Sequence, residues 1–122
     1  MFSSSWKSKQ YNLATLRIEG YIGLTSGAAV DASNTLLNGA TVAKSGTGEY
    51  TVTLSRKYKT LYNCQVSFES DTDVDIAVQI DSIDVAGASA TKTIVLKTMA
   101  GATPTDVSAA ARVFFYLAVR DL

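Results

Sequence analysis

Alternation of apolar and polar residues with a period of two runs through this chain, and it constrains the fold more than any other feature. Leu16, Ile18, Gly20, Ile22 and Leu24 point one way, while Arg17, Glu19 and Tyr21 point the other. Tyr50, Val52 and Leu54 repeat the pattern against Glu49, Thr51 and Thr53. Cys64, Val66 and Phe68 do so against Gln65, Ser67 and Glu69. Val74, Ile76, Val78 and Ile80 form the longest case, with Asp75, Ala77, Gln79 and Asp81 outward. Thr93 to Lys97 is a short β-branched run, and Val113, Phe115, Leu117 and Val119 share one face of the last segment. Such segments are half-buried strands with a core face and a wet face. Six or seven of them, spaced by turns, predict an all-β fold: an antiparallel β-sandwich or jelly roll with little helix.

The punctuation agrees. Ser45-Gly46-Thr47-Gly48 breaks the chain before the Glu49 strand, and Ser70-Asp71-Thr72-Asp73 reads as a hairpin turn. Ala86 to Ala90 is a loop of small residues, and Met99 to Asp106 is a loop around the single proline, Pro104. Ala28 to Asn38 has room for a turn or two of helix, capped by Asp31 or Ser33 and packed through Leu36 and Leu37. Ser55 to Leu61 reads as a short helical or irregular crossover. Residues 1–10 read as an N-terminal arm, because Ser3, Ser4 and Ser5 have no periodic apolar partners. Residues 11–122 read as one sandwich domain, and 122 residues suffice for one core. There is no internal repeat.

Composition narrows the chemistry. The sequence holds no histidine, which removes the commonest general base and metal ligand and every Ser-His-Asp or Cys-His arrangement. Its one cysteine, Cys64, allows no intrachain disulfide and falls on a core face, the setting of a small hydrophobe rather than a nucleophile. Eleven basic residues balance eleven acidic ones, which argues against nucleic-acid binding through net charge and suits a chain that associates. Asp71, Asp73 and Asp75 have the spacing that opens a calcium loop. However, Ile76 stands where the sharp turn needs glycine, and Ser82 where a bidentate glutamate is needed. The expectation is therefore no enzyme, no metal and no cofactor. No run approaches the ~18 apolar residues of a membrane span, and residues 1–10 lack a signal peptide's apolar segment, so the expectation is synthesis in the cytoplasm and no membrane partner.

Two surface features stand outside the core pattern. Glu69, Asp71, Asp73, Asp75, Asp81 and Asp84 crowd one stretch, while Arg56, Lys57 and Lys59 form the densest basic group. One reading is ordinary solvated faces; the other is an acidic edge on one copy that meets the basic crossover of the next. Phe114 and Tyr116 point away from the face of Val113 and Phe115. Either the chain's own arm or loops cover them, or they form a subunit interface.

The segment GTGEYTVTL at Gly46 to Leu54, MAGATPTD at Met99 to Asp106 and the final VFFYLAVRDL resemble, in that order, a recurring pattern of small virion proteins of tailed bacteriophages. The resemblance spans Ala43 to Leu122 and rests on turn and strand chemistry. It implies a non-enzymatic virion protein, made in the host cytoplasm, that binds the outer shell as a capsid decoration or cement protein. Its partners would be other copies of itself, a trimer being favoured over a dimer, and the major capsid protein or other virion proteins. Alternatives are a tail or head fibre component, or a carbohydrate- or receptor-binding module using Tyr11, Tyr21, Tyr58 or Tyr62. An arm that docks on a neighbour would anchor through Phe2 and Trp6.

Overall fold

The computed structural model describes residues 15–70, 72 and 75–120. Nine strands follow in order: β1 Thr15–Leu24, β2 Val30–Leu37, β3 Ala40–Gly46, β4 Glu49–Leu54, β5 Thr60–Ser70, β6 Ile76–Asp84, β7 Thr93–Ala100, the two-residue β8 Thr103–Pro104, and β9 Ala111–Arg120. They form two antiparallel sheets packed face to face, a β-sandwich as the alternation predicts. One sheet runs β2-β1-β9-β5; the other runs β3-β4-β7-β6, with β8 beside the end of β7. There is no helix among the described residues.

The spine of the first sheet is the pairing of β1 with β9, continuous from Thr15 opposite Arg120 to Leu24 opposite Ala111. Its inward residues, Ile18, Ile22 and Leu24 from β1 and Val113, Phe115, Leu117 and Val119 from β9, are buried. They pack in one core with Tyr50, Val52 and Leu54 of β4 and Ile94 and Leu96 of β7. Gly20 makes one close approach possible. It lies opposite Phe115, and a Cβ there would fall 1.8 Å from the carbonyl oxygen of Leu36 on β2. A side chain at this position would push β2 off the sheet.

Three expectations need correction. Val30–Leu37 is a strand, not a helix. A tight turn precedes it: the Ala28 amide donates to the Thr25 carbonyl, the Thr25 hydroxyl accepts the Gly27 and Ala29 amides, and Ala28 has φ +67°. That turn folds the segment back antiparallel onto β1, and Asp31 bonds locally to Ser33 instead of capping a helix. The following strand β3 has no counterpart in the periodic reading either.

Ser70 to Asp73 does not join a hairpin. β5 pairs with β9 and β6 with β7, so the chain crosses between sheets there. Period two locates strands but says nothing of which neighbour a strand chooses. Finally, Val66 and Phe68 of β5 and Ile76, Val78 and Ile80 of β6 face inward as expected but are only half-buried, because both strands are sheet edges at one open side of the sandwich. The stretch at Ser55 to Leu61 is irregular: Tyr58 bridges to Ala86, and β5 begins at Thr60.

Candidate functional site

The outward face of the β2-β1-β9-β5 sheet carries a concentration of aromatic and cationic side chains. Register places them in rows. Leu36, Tyr21, Phe114 and Ser67 lie side by side across the four strands. Glu19, Tyr116 and Gln65 form the adjacent row. On the other side Arg112 stands between Gly23 and Glu69. Leu36 is 51% exposed and Phe114 37%, so no described loop covers this row.

Arg112 organises the patch. Its guanidinium lies 4.5 Å from the centre of the Tyr21 ring and 6.0 Å from that of Phe114. It also donates to Asn34 Oδ1 at 2.9 Å. The hydrogen bond fixes a planar cation over an aromatic face, an arrangement worth about 0.5–1 kcal/mol at an exposed site and more when a partner excludes water. Beside it, Glu19, Tyr21, Leu36, Asn38 and Tyr116 line a shallow groove of about 520 Å³. A smaller depression lies between Gln65, Ser67, Phe114 and Tyr116. Tyr, Arg and Phe around an open apolar row is the composition of a binding hot spot.

Phe114 and Tyr116 therefore sit together on this face. Phe2 and Trp6 lie outside the described residues, as do Asp71 and Asp73. Asp75 is exposed at the start of β6. Arg56 stacks over Tyr58 at 5.2 Å, and Lys57 donates to the Ala88 carbonyl at 2.7 Å. Lys59 is exposed, and its amide donates to the carbonyl of Arg120. The acids divide between sheets: Glu69 is beside Arg112, Asp81 pairs with Lys97 at 3.4 Å, and Asp84 accepts the amide and hydroxyl of Thr91. Those two bonds hold the Asp84 carboxyl below its ordinary value. Tyr58 is 3% exposed, which removes it from the candidate sugar-binding tyrosines; Tyr62 is 49% exposed on β5, and Tyr11 lies outside the described residues. Burial pushes the half-buried Cys64 thiol up to about 11, so it is a weak nucleophile at neutral pH. No group of three or more Cys, Asp or Glu side chains is gathered to hold a metal among the described residues. None of their elements is a helix long and apolar enough to cross a membrane.

Sequence reasoning missed Arg112, Tyr21 and Leu36 as parts of this patch. Arg112 shares parity with Phe114 and Tyr116 on β9, a signal open to reading. Leu36 is hidden because its segment reads as helix.

The turn segments 45–48 and 99–106 meet at one end of the other sheet. Asp106 Oδ1 accepts the Gly48 amide at 2.6 Å and Lys44 Nζ at 2.9 Å. The Thr98 amide donates to the Gly48 carbonyl, and the buried Thr98 hydroxyl to the Thr105 carbonyl. Gly48 has φ +60°, and a Cβ there would lie 2.6 Å from the Thr105 amide nitrogen. The motif is thus a structural tie between a hairpin and a loop. Tyr50 adds to it: its hydroxyl donates to the Ala28 carbonyl, and burial, with Asp106 adding to it, pushes its pKa up to about 12.

No family model matches the chain, and neither a curated protein nor a solved structure matches it.

Proposed function

We propose that this chain is a non-enzymatic structural protein of a phage virion, a capsid decoration or cement protein that binds the outer shell as a homo-oligomer. It docks through the outward face of the β2-β1-β9-β5 sheet. The observation that carries this reading is the open row of Leu36, Tyr21 and Phe114 under the Arg112 guanidinium. A sandwich of this size gains nothing in solubility from two aromatics and a leucine left uncovered, whereas burial against a broad protein surface uses all of them. The face is wide and shallow, the shape for another protein's surface rather than for an enclosed substrate. The order of turn and strand motifs, which resembles that of small phage virion proteins, and a sequence without histidine support the same reading.

The test is co-sedimentation with capsids assembled without this protein. Wild-type protein pellets with them to a fixed saturating number of copies, and an R112A/F114A variant with unchanged circular dichroism stays in the supernatant. Wild-type protein that remains in the supernatant, or a variant that binds as well, overturns the proposal. A second reading has one specific observation in its favour. The groove sets Tyr21 and Tyr116 beside the Glu19 carboxylate and the Asn38 amide, the pairing of ring and polar group that a sugar requires. Saturable shifts of these residues on titration with a capsule or cell-wall glycan, without capsid binding, would favour a receptor-binding module instead.

A further inference from the structure

We infer that the free edge of β5 pairs antiparallel with β5 of a second copy, joining two four-stranded sheets into one across a two-fold axis. This does not depend on what the outward face of the sheet binds. Among the described residues the sandwich has four edge strands: β2 and β5 in one sheet, β3 and β6 in the other. An edge presents unpaired N–H and C=O groups to any passing strand, and proteins blunt such edges with charge, proline, bulges or shortness. Three edges carry such devices. β2 has Asp31 and a register shift against β1; β3 has Lys44 and ends in a bulge; β6 has Asp81, Asp84 and a bulge between Ile80 and Ser82.

β5 is the longest strand, with 11 residues, and is the exception. Its one irregularity lies at Leu61/Asn63, and its one charge, Glu69, is near the other end. Between them Asn63 to Phe68 runs in unbroken register, with no charge, proline or glycine. Among the described residues it pairs with β9 on one side and with no strand on the other. Its inward side chains Cys64, Val66 and Phe68 stay half-buried at the open side of the sandwich, and Tyr62 stands 49% exposed. A strand added here would cover them.

Charge identifies the occupant. Lys59 immediately precedes β5, with Arg120 of β9 opposite Thr60, and Glu69 lies at the other end. A strand with oppositely charged ends is complementary to itself when run antiparallel. A two-fold axis at Gln65 brings Glu69 of each copy opposite Leu61 of the other, two residues from Lys59. Such pairing closes at two copies, so the assembly unit is a dimer in place of the trimer that the phage resemblance implies.

The experiment combines light scattering with hydrogen exchange on the full chain. The mass should be about twice 12.9 kDa at high micromolar concentration, and Gln65→Lys, which sets two lysines together at the axis on the solvent side, should return it to one chain with unchanged circular dichroism. The amides of Asn63 to Phe68 that point away from β9 should slow by roughly tenfold or more as the wild-type protein is concentrated. Those of β2, β3 and β6 should not change. A single-chain mass at every concentration overturns the inference. So does a dimer whose β5 exchange is independent of concentration, or one that F114A disrupts and Gln65→Lys does not. Capsid co-sedimentation reads the proposed docking separately, so either idea can fail alone.

Discussion

Asp106 shows how one exposed side chain can hold two segments distant in sequence. Its carboxylate accepts the Gly48 amide and the Lys44 ammonium, and these bonds, the backbone one foremost, hold it below the ordinary carboxylate range. A carboxyl with a depressed folded-state pKa contributes stability that is present above its unfolded value, about 3.9, and lost as pH falls through the lower folded value. Asp106→Asn should therefore lower the melting temperature at pH 7. The gap from wild type should close as the pH is taken from about 5 toward 2. A gap constant with pH would mean that the charge is irrelevant and only the shape of the side chain matters. Tyr50 works in the opposite sense. Its raised pKa means that the unfolded chain ionises first, so stability falls between about pH 10 and about 12.

At the level of strands, the two faces of β9 have different tasks, and substitution separates them. Phe115 is 2% exposed in the core, opposite Gly20, while Phe114 faces out. Phe115→Ala should cost about 3–5 kcal/mol in urea unfolding, and Phe114→Ala less than about 1. Similar losses at both positions would mean that the outward row is packed in the free protein. This in-out phase was legible in the sequence for β1, β4, β5, β6 and β9, because alternation needs no knowledge of neighbours. The partners of each strand were not legible. Nothing in Ser70 to Asp73 distinguishes a hairpin from a crossing between sheets, and nothing in Leu36 reveals that it lies beside Tyr21. This outward face is assembled from four strands of which only β1 and β2 are neighbours in sequence. Phe114 and Tyr116 could therefore be found alone, but not the cation that stands over them.

For the molecule as a whole, the pairing of β1 with β9 governs how the fold tolerates change. Among the described residues the first strand, β1, and the last, β9, are central and mutually hydrogen-bonded over their full lengths, and β5 pairs only with β9. The first sheet therefore cannot exist without β9, since removing it leaves the β1-β2 pair and an isolated β5. A two-stranded ribbon beside an open core is not stable in water. A chain ending at Ala110 should show no cooperative thermal transition and should bind a hydrophobic dye. Removal of residues 1–10 touches none of the described strands, of which β1 starts at Thr15, and should leave the circular dichroism spectrum unchanged and the melting temperature within a few degrees. Under the capsid-binding proposal the same truncation is informative in a second way. If Phe2 and Trp6 anchor the chain to a neighbour, the shortened protein folds but sediments less with undecorated capsids. Undiminished sedimentation would assign the attachment to the outward face around Arg112 and Phe114 alone. Loss of the thermal transition on removing residues 1–10 would mean that this segment belongs to the sandwich itself.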